Sequence, residues 1–159
     1  MLQRIQSIFL LIVAVAMLLL NFFPIWSNTN EEGITITLYS FYLVNPEKGE
    51  LGMTLALSYF PYLLVGALAL LSAFISIIEI FKYKNRLTQI KLGALNALLI
   101  AGCLVLAVYF IIDLQKELGS YGQYMLGSSF PVIALVFNLL ANRFIRRDEK
   151  LVRSVDRLR

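Results

Sequence analysis

Apolar residues in this chain fall into four long blocks, and the segments between them carry nearly all of the charge. The first block covers about 5–23, with "IFLLIVAVAMLLL" at its centre, and the second, "YLLVGALALLSAFISIIEIF", covers 62–81. The third, "LGALNALLIAGCLVLAVYFII", covers 92–112, and the fourth, "SFPVIALVFNLLANRFI", covers 129–145 and is the shortest and most polar. A hydrocarbon core about 30 Å thick takes roughly 20 apolar residues at about 1.5 Å rise each. A lone segment in lipid must satisfy its own backbone hydrogen bonds, so each block is expected to be a helix. The expected fold is an all-α membrane protein, a four-transmembrane-helix bundle forming a single domain over 1–159. Outer segments are expected at 24–61 and 113–128, a cytoplasmic loop at 82–91 and a cytoplasmic tail at 146–159.

In the first outer segment the period changes from helical to two. "GITITLYSFYLV" sets Ile34, Ile36 and Leu38 against Thr35, Thr37 and Tyr39; the turn-forming "NPEKG" at 45–49 follows, and "ELGMTLAL" alternates again. Alternation around a turn predicts a small extracytoplasmic β-hairpin between the first two helices. An isolated hairpin is marginal in water, so helix rims or a partner are expected to cover its apolar face. Ser58 ahead of Pro61, and Ser128 and Ser129 ahead of Pro131, suit helix starts, where proline's missing N–H costs nothing.

The period changes a second time in the tail. Leu151, Val155 and Leu158 are spaced i, i+4, i+7, with Val152 beside them, and Arg147, Lys150, Arg153 and Arg157 surround that stripe. A short cytoplasmic amphipathic C-terminal helix on the inner headgroup surface is the expectation. Arg146, Arg147, Lys150, Arg153 and Arg157 are its candidate lipid- or partner-contacting residues. Membrane lipid is the favoured contact and a protein partner the second. Nucleic acid is excluded, because Asp148, Glu149 and Asp156 oppose phosphate and only Phe144 could stack on a base.

Charge fixes a direction. Twelve of the fourteen Lys and Arg fall before the first block, between the second and third, or, counting Arg143 near its end, at or after the close of the fourth. Only Lys48 and Lys116 lie on the other side, which predicts both termini in the cytoplasm. Trp26 and the tyrosines other than Tyr83 lie in or near the outer segments, where amphipathic rings suit the headgroup level. Composition agrees: 59% hydrophobic and 15% charged residues, against about 45–50% and 25% in soluble domains. The first block also admits a cleaved signal peptide, with Arg4 as its basic region and "AVA" at 14–16 as the cleavage site. The apolar run continues past that site, so a retained anchor is favoured.

The spans hold few groups that could do chemistry. The chain has no histidine and one cysteine, Cys103, in mid-block, which removes the commonest general base and any paired-thiol exchange. No cofactor, metal or catalytic set is expected. Polar residues inside the blocks include Asn21, Ser72, Ser76, Glu79, Asn96, Asn138 and Asn142. Asn96 and Asn138 each lie five positions from a basic residue, on the order of 8 Å inside the cytoplasmic boundary. Glu79, Asn96, Asn138, Asn142 and Arg143 form a candidate polar cluster in the inner half of the bundle. Glu79 is expected to snorkel or to pair with Lys82 or Arg143, its functional alternative being a cation or proton site. Gly93, Ala97 and Ala101 are spaced for close helix contact, and the asparagines for bonds across it.

The end sequences "MLQRIQSIFLLIVAV" and "NRFIRRDEKLVRSVDRLR" resemble the termini of a family of small four-span membrane proteins from Bacteroidota, catalogued as a domain of unknown function. The resemblance runs the full length, with "IRRDEKLVRSVDRLR" its most distinctive string, and implies a bacterial inner-membrane setting with this topology. It implies no catalytic residues, cofactor or substrate. Three functions are in play: a structural or accessory membrane protein, such as a small subunit of an envelope complex; a small oligomeric carrier or channel for an ion or lipid-like molecule; and an intramembrane enzyme. The first is favoured, with a membrane-protein partner as its setting; a homo-oligomer is the setting of the second. The third lacks its parts.

Overall fold

The computed structural model describes residues 2–29, 33–46, 56–58, 60–83 and 85–156. Four helices account for most of them: α1 (Leu2–Leu19), α2 (Leu63–Phe81), α3 (Arg86–Leu118) and α4 (Ser129–Asp156). Each packs against two others, α1 on α2, α2 on α3, α3 on α4, and α4 back on α1. The start of α1, the end of α2, the start of α3 and the end of α4 therefore share one end, the basic end of the molecule. Among the described residues, three helices are long and apolar enough to cross a membrane, those containing Leu63–Phe81, Arg86–Leu118 and Leu126–Val152. The apolar run of α1, Ile5–Leu19, is shorter.

Local chemistry sets the ends, and it moves several of them. The Asn85 side chain accepts from Thr88 N–H at 3.2 Å, capping α3 six residues ahead of the apolar block it was read from. At the far end α3 continues through Asp113–Leu118 and stops at Gly119, whose φ of +62° suits a residue without a Cβ. α1 stops at Leu19, and Asn21, expected inside the first span, instead donates to the freed Met17 carbonyl at 3.0 Å. Ser40 holds that asparagine from the other side, its hydroxyl donating to Asn21 Oδ1 at 2.9 Å. A 3-10 turn at Leu126–Ser128 leads into α4, which runs unbroken to Asp156. The expected separate tail helix is thus the last turns of α4, since 145–150 offers neither Gly nor Pro to stop it.

The opposite end carries an antiparallel sheet in the order β4-β3-β2-β1-β5, where β1 is Trp26–Thr29, β2 Thr35–Leu38, β3 Leu43–Asn45, β4 Ala56–Ser58 and β5 Gln123–Tyr124. This replaces the single expected hairpin. "GITITLYSFYLV" is two strands, not one: Tyr39 N–H donates to Tyr42 O at 2.9 Å and the two rings stack at 4.9 Å, reversing the chain between them. Leu38 then faces Leu43 across the β2–β3 pair, both buried. The "NPEKG" turn begins at the end of β3, and its residues 47–49 lie outside the described ones, as do 50–55 of the expected second strand. β1, "WSNT", had no apolar alternation to announce it, yet pairs with β2 and β5, so both outer segments contribute to one sheet.

Backbone bonds fasten this sheet to the helices: Gly66 N–H to Ser40 O at 2.9 Å and Gly127 N–H to Pro24 O at 2.8 Å. Trp26 is wholly buried beneath it, not placed in an interfacial ring. Apolar side chains pack the interior, Val13, Met17, Leu20, Ile100 and Ile111 among them, and others point outward around the helices, with Leu98 72%, Val105 68% and Phe74 62% exposed; a set of polar groups is buried with the core.

Candidate functional site

The interior-facing polar groups come from three helices at matched heights. Gln89, Gly93 and Asn96 share one face of α3 by their spacing of four and three, and all are buried. Ser72, Ser76 and Glu79 do the same on α2, and Asn138 and Asn142 on α4. Asn96 is the hub. Its Oδ1 accepts from Ser72 Oγ at 2.6 Å, and its Nδ2 donates to Ser76 Oγ at 2.8 Å and lies 3.5 Å from Asn138 Oδ1. Asn138 Nδ2 donates to the Gly93 carbonyl at 3.0 Å, and Ser76 Oγ to Ser72 O at 3.0 Å. Bonds of this kind contribute on the order of 1 kcal/mol or less each, so the set cements three helices without dominating stability. Beside this set the Asn142 amide occupies the space that a Cβ on Gly93 would take.

Toward the basic end a second layer follows. Gln89 Nε2 donates to the Glu79 carbonyl at 3.2 Å. Gln6 donates to the Asp148 carboxylate, and Arg86 Nη1 to the Asp148 carbonyl at 2.9 Å, joining the starts of α1 and α3 to the end of α4. Sequence reasoning overlooked Gln6, Gln89 and Asp148: the last two lie outside the apolar blocks, and Gln6 sits at the very start of the first. Gln89 was findable from its spacing to Gly93 and Asn96.

Glu79 stands apart. It is wholly buried, and neither carboxylate oxygen has a hydrogen-bond partner. The expected pairing with Lys82 or Arg143 is not formed, because Glu79 faces inward from α2 whereas Arg143 is exposed and lines a groove between α3 and α4. Asn142 Oδ1 is a third buried acceptor without a partner. Since Glu79 makes no bond to lose, Glu79→Gln should keep or raise stability, by about 1 kcal/mol, in thermal unfolding followed by size-exclusion chromatography. A paired carboxylate would instead lose stability, and only then would a charge swap with Arg143 restore it.

The α3–α4 groove has a volume of about 1000 Å³. Arg143, Arg146, Arg147 and Lys150 line its basic end. Ala94, Ala97 and Ala101 line it on α3, so two of the small residues expected to bring helices together instead leave space open. Of the other tail candidates, Arg153 belongs to α4 with its side chain outside the described residues, and Arg157 lies outside them altogether. Cys103 is buried, its thiol donating to Val65 O at 3.6 Å. Among the described residues no three His, Cys, Asp or Glu side chains group so as to hold a metal ion.

The arrangement therefore offers amide and hydroxyl groups spent largely on one another, one unpartnered buried carboxyl group, and a cationic groove. A family model described as "Domain of unknown function (DUF4293)" matches residues 2–158. No curated protein and no solved structure matches the chain.

Proposed function

The chain belongs to the DUF4293 family, a domain of unknown function, and from that premise we propose an accessory, non-catalytic protein of the bacterial inner membrane. It crosses the bilayer four times with both termini in the cytoplasm and serves as a small subunit of an envelope assembly. The observation that carries this reading is the apolar outer surface of the helices. Large apolar residues cover the outside as well as packing the inside, where serines, asparagines and Glu79 are buried among them. Water would penalise that outer surface and lipid would not. α1, with 18 residues, is about 27 Å long, close to the hydrocarbon thickness, and packs on both α2 and α4, which supports its counting as the fourth span.

The accessory role rests on how the polar groups are used. Asn96, Asn138, Ser72 and Ser76 hold helices together by bonding to one another, and the Glu79 carboxylate bonds to none of them. A partner would meet the outer sheet or the basic end. A second reading, a small oligomeric carrier for an ion or lipid-like molecule, draws on the unpartnered Glu79 and Asn142 oxygens.

Orientation is testable with single cysteines in a Cys103→Ser background. Tyr121, 93% exposed near the sheet, and Lys82, at the basic end, are suitable positions. An impermeant maleimide should label Tyr121→Cys in intact cells and Lys82→Cys only after permeabilisation. The reverse pattern, or release of the chain from membranes without detergent, refutes the topology. Mild-detergent purification then separates the roles: a stoichiometric second protein supports the accessory reading, a homo-oligomer alone the carrier.

A further inference from the structure

We propose that the α3–α4 groove is a binding site for one anionic phospholipid, a deeper reading that rests on the membrane setting proposed above. The groove's chemistry is graded along its length. Leu98, Leu135 and Leu139 wall it where it lies among apolar helix surfaces, and the three alanines of α3 keep it open. Asn142 follows, and then Arg143, Arg146, Arg147 and Lys150. Aliphatic, then amide, then cationic is the order that an acyl chain, its ester linkage and a phosphate would meet.

The four cations sit together for a simple reason: spacings of i, i+3, i+4 and i+7 place them along one side of α4. That side stays cationic because Asp148, in their midst in sequence, is buried the other way against Gln6. Forked guanidinium donors suit phosphate oxygens in particular. A volume of about 1000 Å³ far exceeds what an ion needs and reaches the upper end of the roughly 300–1,000 Å³ of organic-ligand pockets. Basic pockets between transmembrane helices at the cytoplasmic surface suit anionic headgroups on general electrostatic grounds. A partner's helix would fill the apolar length equally well, but would have to bring acidic residues to four clustered cations, whereas an anionic lipid brings its charge already at the correct height.

The test is native mass spectrometry of the full chain in mild detergent, titrated separately with phosphatidylglycerol and phosphatidylethanolamine. One phosphatidylglycerol per chain should bind in preference to the zwitterionic lipid. Arg146→Gln and Arg147→Gln, exposed positions that leave the helices intact, should each weaken it roughly fivefold. Ala97→Phe keeps every cation but blocks the groove, and should remove the one-to-one adduct. Millimolar inorganic phosphate should not displace the lipid. Equal binding of both lipids, full binding by Ala97→Phe, or displacement by phosphate overturns the proposal. Any of these in a chain that still needs detergent for extraction overturns the groove alone. A chain that needs no detergent overturns the membrane reading with it.

Discussion

Trp26→Ala is expected to cost about 3–5 kcal/mol, the range for truncating a large aromatic side chain in a packed interior. Trp26 has no exposed surface. It lies in β1 opposite Leu38 on one side and Tyr124 on the other, so it sits where the two outer segments join. Its indole occupies the space beside Gly122, where a Cβ would collide with the ring. Loss of the ring would therefore leave a cavity under the sheet and loosen β5 from β1. The indole Nε1 is buried without a partner, so Trp26→Phe forfeits volume but no hydrogen bond and should cost less than about 1.5 kcal/mol. Thermal unfolding in detergent, followed by circular dichroism, compares the two. An alanine variant as stable as the phenylalanine one would return Trp26 to the interfacial role that its amphipathic ring suggests.

That reversal shows where the sequence was legible. Helices α2, α3 and α4 declared themselves because lipid-length apolar runs have few other uses, and Asn96 and Asn138 were recognisable as interior because spacing put them on faces with small residues. The ends were less legible. α3 begins at the Asn85 cap and α4 ignores the charge at Arg146, because helix boundaries follow caps and breakers, whereas apolar blocks follow solvent. The sheet was half legible. Ile36 and Leu38 alternate correctly, but Leu38 and Leu43 are five apart, an odd offset that no single strand could carry on one face and that signalled the intervening turn. β1 and β5 were invisible, since "WSNT" and "QY" gain their strand character only from each other and from β2. Glu79's isolation could not be read at all, because it depends on which way Arg143 faces.

Gly93→Ala is expected to destabilise the protein by up to about 3 kcal/mol, although alanine is intrinsically the better helix former by about 1 kcal/mol. The new methyl group would enter the space of the buried Asn142 amide. Either the Asn142 side chain gives way toward the groove it lines, or α3 and α4 separate at the height where Asn138 donates to the Gly93 carbonyl and Asn96 approaches Asn138. Gly102 in the same helix provides the control, because the nearest atom to a Cβ there is Leu68 Cδ1 at 3.8 Å. Gly102→Ala should therefore show only the helix gain and be neutral or stabilising. Removing the obstructing amide should also repair the damage. Asn142→Ala combined with Gly93→Ala should be more stable than the sum of the single changes allows, by about 1–3 kcal/mol of coupling. Additive losses in that double-mutant cycle would mean that the α3–α4 contact does not depend on this glycine, and that the asparagine seam is held together in some other way.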